Sequence, residues 1–374
     1  MTESNETTES LSASRREHHD ALLAGPGYPT RYERTHWASD IHGGFADLGP
    51  GEHTTTEVTV AGRVMLYRSF GKLQFATIRD LTGTIQLFVE KQHLGEEMAA
   101  EFARIDLGDW VGASGTVMTT KKGELSVRVD SFTVLQKSLR PLPDKFHGLQ
   151  DVEQRSRKRY VDLMVNDEAR DVALRRARIV SELRRAFQER GFVEVETPVL
   201  LSQATGATAR PFATRHNALE LDMYLRIATE LYLKRLVVGG IERVFEIGRI
   251  FRNEGVDATH NPEFTMLEAY QALADYEDVM RLVEEVIASV VESACDGSDI
   301  EFRGQPLSLE APFRRVSMVD LVSEVLGEDV DLDTPLQRLS ELARGAGVTE
   351  IDPAWGPGRI IFEIYEEAVE KTIW

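Results

Sequence analysis

The chain has 374 residues, 42% hydrophobic and 28% charged, with 43 Lys and Arg against 62 Asp and Glu and a formal net charge of −19. That length exceeds one ordinary core and fits two domains with the composition of a soluble globular protein. No run approaches the ~18 apolar residues of a membrane span, the first twenty residues lack the apolar core of a secretory signal, and the single cysteine, Cys295, can form neither an internal disulfide nor a multi-cysteine zinc site, which points to the cytoplasm. Taken whole, the charge argues against a nucleic-acid partner, but its distribution reverses that. Residues 266–374 hold 8 basic and 24 acidic side chains, whereas residues 58–140 hold 11 and 9, and residues 141–192 hold 12 and 9. The first half can face a phosphate backbone without strong repulsion.

Residues 1–20, rich in Ser, Thr and Glu, bury too little apolar surface to fold alone and read as part of a disordered tail over 1–27. From Val58 to Leu135 the pattern steps by two: Val58, Val60, Gly62 and Val64; Phe75, Thr77 and Arg79; Ile85, Leu87 and Val89; Leu125, Val127 and Val129. Gly71, Gly83, Gly108 and Gly123 punctuate these runs as turns. About five strands in roughly 80 residues predict a small β-barrel, of which the OB-fold is the commonest of this size; its domain spans 28–137. The basic, proline-containing stretch 138–160 reads as a linker. An amphipathic helix is expected at Glu168–Arg190, with Ile179, Leu183 and Phe187 on one face and Gly191 as its cap. A short strand from Phe192 to Glu196 stops at Thr197-Pro198. Strands are then predicted at Tyr224–Ala228, Arg243–Ile250 and Glu263–Ala272, and helices at Glu230–Val238 and Tyr276–Cys295. The second domain, 161–374, is therefore mixed α+β with an antiparallel character.

No GxxxxGK[ST] and no strand-to-helix GxGxxG occurs, so any nucleotide must be held by side chains. The segment from Phe251 to Glu268 offers a set. Arg252 supplies a bidentate fork for a phosphate or carboxylate, His260 a second donor, and Phe264 a flat apolar face for a base. The bland reading is a hairpin with a surface Arg252–Glu254 pair.

The string FRNEG…HNPEFTMLE closely resembles motif 2 of the class II aminoacyl-tRNA synthetases, and the preceding helix with FVEVETPVL resembles motif 1. TGATARPF (205–212), LRIATELYLKRLVVGGIERVFEIGRIFRNEG (225–255) and RPLPDKFHGLQD (140–151) are similar to the bacterial lysyl branch, over about residues 28–374. This resemblance implies an N-terminal OB-fold barrel that reads an anticodon, followed by a catalytic domain on an antiparallel sheet. It implies that Phe75 stacks an anticodon base, with Arg68, Gln86 and Glu124 at base edges. Phe75 can instead be plain barrel core, although its alternation with Thr77 and Arg79 favours an outward face. The resemblance also implies that Arg252 bridges the ATP α-phosphate and the substrate carboxylate, Glu254 accepts from adenine, His260 meets the distal phosphates and Phe264 stacks on adenine. Gly206 would allow close approach of the substrate, Glu230 would hold the α-ammonium of lysine, and Glu268 and Tyr270 would close the pocket. Glu230 can alternatively serve as the acidic first residue of a helix capped by Thr229. The implied partners are lysine, ATP with Mg2+, and tRNA(Lys), in a homodimer formed through residues 168–199.

The chain departs from this pattern in two places. Thr205-Gly206 stands where the family shows a glycine pair, and threonine narrows the backbone there. Nothing up to Trp374 resembles motif 3, the magnesium-binding acids or the carboxylate for the lysine ε-ammonium, so the catalytic domain is expected to be incomplete at its C-terminus and to hold no metal site of its own. The competing expectation is a tRNA-binding module that does not activate lysine.

Overall fold

The computed structural model describes residues 2–143, 149–257, 259–295, 297–302 and 304–372, without the side chains of 2–10. Residues 144–148 of the expected linker lie outside the described residues. The chain forms two compact units, residues 1–170 and 171–374.

The first unit opens with helices α1 (Thr2–Ala24) and α2 (Ala38–Gly44). Strands β1 (His53–Phe70), β2 (Leu73–Arg79), β3 (Thr84–Glu90), β4 (Trp110–Thr119) and β5 (Leu125–Gln136) close a barrel in the order β1-β2-β3-β5-β4. Two short helices, α3 (Lys91–Leu94) and α4 (Glu96–Phe102), link β3 to β4. The period-2 pattern works as expected: Val58, Val60, Val64, Ile85, Leu87, Val89, Val127 and Val129 all point into one core. Strand β1 is long enough to pair with β2 at one end and β4 at the other, and the register shifts between Val64 and Leu66 as it bends.

The expected disorder at the N-terminus is corrected by the structure. Residues 2–24 are helical, and Arg15 and His18 are buried. One guanidinium nitrogen of Arg15 donates to the carbonyls of Leu107, Ser138 and Arg140 at 3.2, 3.0 and 3.0 Å. Close by, the fully buried ammonium of Lys137 lies 2.6 Å from Asp106 and 2.7 Å from Asp109. Apolar burial was the wrong measure for this segment, because polar contacts with residues some 90 to 120 positions away hold it. Helices α5 (Val152–Arg157) and α6 (Arg159–Val165) follow. Asp151 caps α5 by accepting from the Gln154 amide at 2.7 Å, and the buried Asp162 pairs with Arg155 at 2.8 Å and with Arg159.

Helix α7 (Asp167–Glu189) carries the chain into the second unit. There β6 (Val193–Glu194) pairs in parallel with β10 (Arg243–Phe251), and β10 pairs antiparallel with β11 (Glu263–Gln271). A second sheet holds β7 (Leu200–Leu201), β8 (Ala213–His216) and β9 (Leu221–Leu225), with β9 in the middle. The strand expected at Tyr224–Ala228 thus ends early, at Leu225. Past that point the Arg226 amide donates to the Val199 carbonyl and the Arg226 carbonyl accepts from the Phe251 amide, which takes the backbone out of the sheet. Helix α8 spans Glu230–Val238, and α9 spans Tyr276–Ala294. A hairpin, β12 (Asp299–Phe302) with β13 (Gln305–Ser308), precedes α10 (Met318–Leu326), α11 (Leu336–Gly345) and α12 (Pro357–Ile364). These three helices enclose their own small core around Val322, Leu339, Ile360 and Ile364. Among the described residues no helix is long and apolar enough to cross a membrane.

Candidate functional site

Alternation along β10 and β11 divides the second unit's main sheet into two faces. Directly opposed residues of an antiparallel pair share a face. Phe245, Ile247, Leu267 and Ala269 pack on the back against Ile179, Leu183 and Phe187 of α7. The amphipathic stripe read from the sequence therefore covers this back face. The front face carries the register pairs Val244–Tyr270, Glu246–Glu268, Gly248–Met266 and Ile250–Phe264. Three of the expected site residues, Phe264, Glu268 and Tyr270, are thus brought onto one face by a spacing of two.

Arg252 follows the end of β10, and its amide donates to the Pro262 carbonyl at 2.9 Å. Its guanidinium lies 5.3 Å from the centre of the Phe264 ring. Its Nε is buried without a hydrogen-bond partner among the described residues. A buried donor in that state carries a desolvation cost unless a ligand accepts from it. Glu254 is exposed and accepts from the Arg210 amide at 3.3 Å, while the Asn253 amide donates to the Arg210 carbonyl at 2.8 Å. The TGATARPF segment is thereby stitched to the loop after Arg252. His260 is exposed on that loop, with its Nδ1 2.8 Å from an oxygen of Asp257. The Thr259 amide, then the His260 ring and the Thr259 hydroxyl, hold the Asp257 carboxyl far below its usual range.

Glu230 opens α8, and its carboxylate is 2.6 Å from Lys234 Nζ. Thr229 does not cap this helix: its hydroxyl is buried with no partner among the described residues, and its amide instead donates to Glu268 at 3.0 Å. The Tyr270 hydroxyl donates to the other oxygen of Glu268 at 3.3 Å. Burial, then the charges of Glu268 and Glu230, push the phenol well above its usual value, so it remains a donor. Gly206 sits at φ +92, and a Cβ there would come within 3.1 Å of Ala228 Cβ and 3.3 Å of Glu230 Cβ. Glycine is required both by the left-handed backbone and by this approach.

Sequence reasoning missed Arg226, Glu246 and Thr197. Arg226 donates to Glu246, to the Arg249 carbonyl at 2.8 Å and to the Thr197 carbonyl at 3.2 Å. Glu246 also accepts from the Thr197 hydroxyl at 2.6 Å. A lone glutamate in the apolar run VFEIGRIF, read against a lone arginine in LRIA, was the available signal.

On the barrel, the register aligns Arg68, Phe75, Phe88 and Arg128 in one row across β1, β2, β3 and β5. Phe75 meets Phe88 and Phe70 edge-on, with ring centres 5.4 and 6.2 Å apart. It lies outside the barrel core, as the alternation with Thr77 and Arg79 suggests. Arg68 is exposed. Gln86 belongs to the next row and is 8% exposed, with its amide nitrogen 2.8 Å from Ser126 Oγ. Ser126 in turn donates to the carbonyl of the exposed Glu124 at 3.0 Å. Phe88, which the neighbouring β2–β3 pairing sets beside Phe75, was not anticipated, nor was Arg128, which depends on the long-range pairing of β3 with β5.

Comparison with known proteins gives these sites a family. Residues 151–355 match the model of class II tRNA synthetases (D, K and N), and residues 58–135 match the OB-fold nucleic acid binding domain. A lysine–tRNA ligase of a Nostoc species is 50% identical over 354 residues, covering 92% of this chain and 63% of the relative. The lysine–tRNA ligase of Enterococcus faecalis is 49% identical over 345 residues, covering 92% of this chain and 69% of the relative. That of a Synechococcus species is 50% identical over 346 residues, covering 92% and 71%. The chain spans about 63% of the length of the cyanobacterial relatives from Nostoc. With these matches over the second unit and the barrel of one polypeptide, the chain belongs to the class II tRNA synthetases (D, K and N).

Proposed function

We propose that this chain is the amino-acid-activating and anticodon-reading part of a lysine–tRNA ligase. The observation that carries the reading is the front face of β10 and β11. There Arg252, whose Nε has no partner among the described residues, stands over the Phe264 ring at one end, and Glu268 and Tyr270, joined by Glu230 from α8, stand at the other. The first group suits a nucleoside phosphate, and the second suits an ammonium. The names of the relatives supply the amino acid.

In this reading a carboxylate oxygen of lysine attacks the α-phosphorus of ATP, and the bond to pyrophosphate breaks. The terminal ribose hydroxyl of tRNA(Lys) then attacks the acyl carbon, and AMP leaves. Arg252 holds the α-phosphate and the substrate carboxylate together, so its charge offsets that of both anions. Phe264 stacks on adenine, and Glu254 accepts from the adenine amino group. Asp257 fixes Nδ1 of His260, leaving Nε2 for the distal phosphates. Glu230 holds the α-ammonium beside Gly206, with Glu268 and Tyr270 closing the pocket. The family implies magnesium with ATP. Among the described residues no group of three or more His, Cys, Asp or Glu is placed to hold an ion.

On the barrel, Phe75 stacks an anticodon base while Arg68, Gln86 and Glu124 meet base edges. A homodimer through 168–199 is supported by exposed Val172, Val193 and Val199. A sedimenting species that stays monomeric at micromolar concentration would count against it.

The deciding measurement is lysine-dependent ATP–pyrophosphate exchange by the 374-residue chain, with tRNA(Lys) binding followed in parallel. Exchange above background supports the full reading. Binding of tRNA(Lys) without exchange reduces it to a binding module. Failure of both removes it.

A further inference from the structure

The carboxylate assigned above to an ammonium ligand already holds an ammonium of the chain itself. Lys234 lies one turn after Glu230 on α8, and its Nζ is 2.6 Å from Glu230 Oε1. The same Nζ stands 5.6 Å from the centre of the Tyr270 ring. One cation thus touches both a carboxylate and an aromatic face of the pocket, which is the pair of contacts an ammonium ligand would seek. Glu268 lies just beyond, tied to the Tyr270 hydroxyl and the Thr229 amide. The Thr229 hydroxyl, next to Glu230 in the chain, is buried without a partner among the described residues.

The pair is built to open. The Lys234 side chain is about half exposed and Glu230 about one third exposed, so water screens their attraction. The four-carbon stem can swing the ammonium into solvent without moving the helix. Leu233, the residue before it, is fully buried and anchors α8 in place.

We propose that Lys234 is an internal placeholder. Its ammonium occupies the carboxylate and ring contacts of the empty pocket, and an incoming amino acid displaces it by supplying an ammonium of its own. The inference rests on the reading of Glu230 as the amino-acid-binding carboxylate. It has a consequence for specificity. A ligand lacking the ammonium leaves the Glu230–Lys234 pair closed, so neutral analogues are rejected by competition as well as by poor fit. The empty pocket is also spared a bare Glu230 carboxylate near the hydrogen-bonded Glu268.

The test is calorimetric titration of the 374-residue chain with L-lysine, comparing the parent with K234M. Methionine keeps the length of the stem and removes the charge. The expected result is roughly two- to fivefold tighter lysine binding by K234M, the scale of one weak exposed ion pair no longer displaced. A second readout uses the parent alone, with its lysines 13C-dimethylated so that each keeps its charge, and the residue-234 signal assigned with K234R. Saturating L-lysine should move that signal toward the position of a freely solvated lysine, and this decides the matter if K234M does not fold. Saturable binding that K234M leaves equal or weaker, or a residue-234 signal unmoved by bound lysine, overturns the placeholder and leaves the amino-acid reading standing. Absence of saturable lysine binding by either protein removes that reading, and the placeholder with it.

Discussion

Glu246 and Glu268 stand directly opposite each other on β10 and β11, two like charges at one position of the ladder. Such a pair repels unless each member is compensated separately. Arg226 and Thr197 hold Glu246, whereas the Thr229 amide and Tyr270 hold Glu268. The Arg226 and Glu246 side chains are 4% and 5% exposed, so solvent screens neither. A Cβ on Gly248 would come within 2.2 Å of Arg226 Nη2, which shows that the guanidinium lies across that glycine. Arg226→Gln should therefore leave a buried charge facing a second one and destabilise the second unit by about 3 kcal/mol. Arg226→Met with Glu246→Leu should recover much of that loss, since removing both ions also removes their desolvation cost. Urea unfolding of the single and double variants checks this. Equal losses would mean that the arginine matters for its packing and not for its charge.

Arg252 is the opposite case. It forms no ion pair among the described residues, its Nε is unpartnered, and its main contact is the face of Phe264. Arg252→Ala loses the packing on Phe264 but also removes a buried donor that nothing satisfies, so unfolding should stay within about 1 kcal/mol of the parent. It should nevertheless abolish nucleotide binding and any pyrophosphate exchange. Equilibrium binding of ATP, followed beside a denaturation curve, separates the two effects. Near-parental ATP binding by the variant would remove Arg252 from the proposed site.

These two arginines also show where the sequence was readable. Arg252 sits in a contiguous string that resembles motif 2 of the class II synthetases, and β10 and β11 around it fall within a residue of their expected bounds. Phe75 was legible because alternation alone assigns it the same side as Thr77 and Arg79. Arg226 was not legible, because its meaning depends on Thr197, Glu246 and Gly248 converging from separate segments. The N-terminal helix was obscured for a related reason. Composition measures apolar burial, and Arg15 and His18 are held by polar groups of the barrel. Patterns of period two or 3.6 report which face is buried but carry no record of long-range polar partners.

The barrel offers a clean separation of binding from stability. Phe75 lies outside the core and touches two other rings only edge-on. Phe75→Ala should weaken tRNA(Lys) binding by the ~1–3 kcal/mol typical of one stacked base, with lysine and ATP binding unchanged. Gln86→Ala should behave differently, because the side chain is buried and bonded to Ser126; it should lower barrel stability as well. Filter binding and thermal unfolding of both variants test the contrast. A Phe75→Ala variant that lowers tRNA and lysine binding alike would argue against stacking.

Attachment of α1 to the barrel should weaken in acid. His18 presents Nε2 to Glu101 at 2.6 Å and Nδ1 to the Arg104 carbonyl at 3.2 Å. Arg104 approaches the second oxygen of Glu101 at 3.1 Å, and Lys137 shares the Arg104 carbonyl at 3.0 Å. Burial pulls the Glu101 carboxyl upward, but the hydrogen bond and charge of His18, followed by Arg104, outweigh it and hold the group below its ordinary 4.5. A carboxyl with a lowered folded-state value contributes stability that is complete above the unfolded value and is lost as pH falls through the folded one. Amide protection over residues 11–24, corrected for intrinsic exchange, should therefore hold at neutral pH and fall on acidification below about pH 4.5. Glu101→Gln should show weaker protection at neutral pH and a flatter acid dependence. Matching pH profiles in parent and variant would show that the Glu101 contacts do not set the acid sensitivity of the helix.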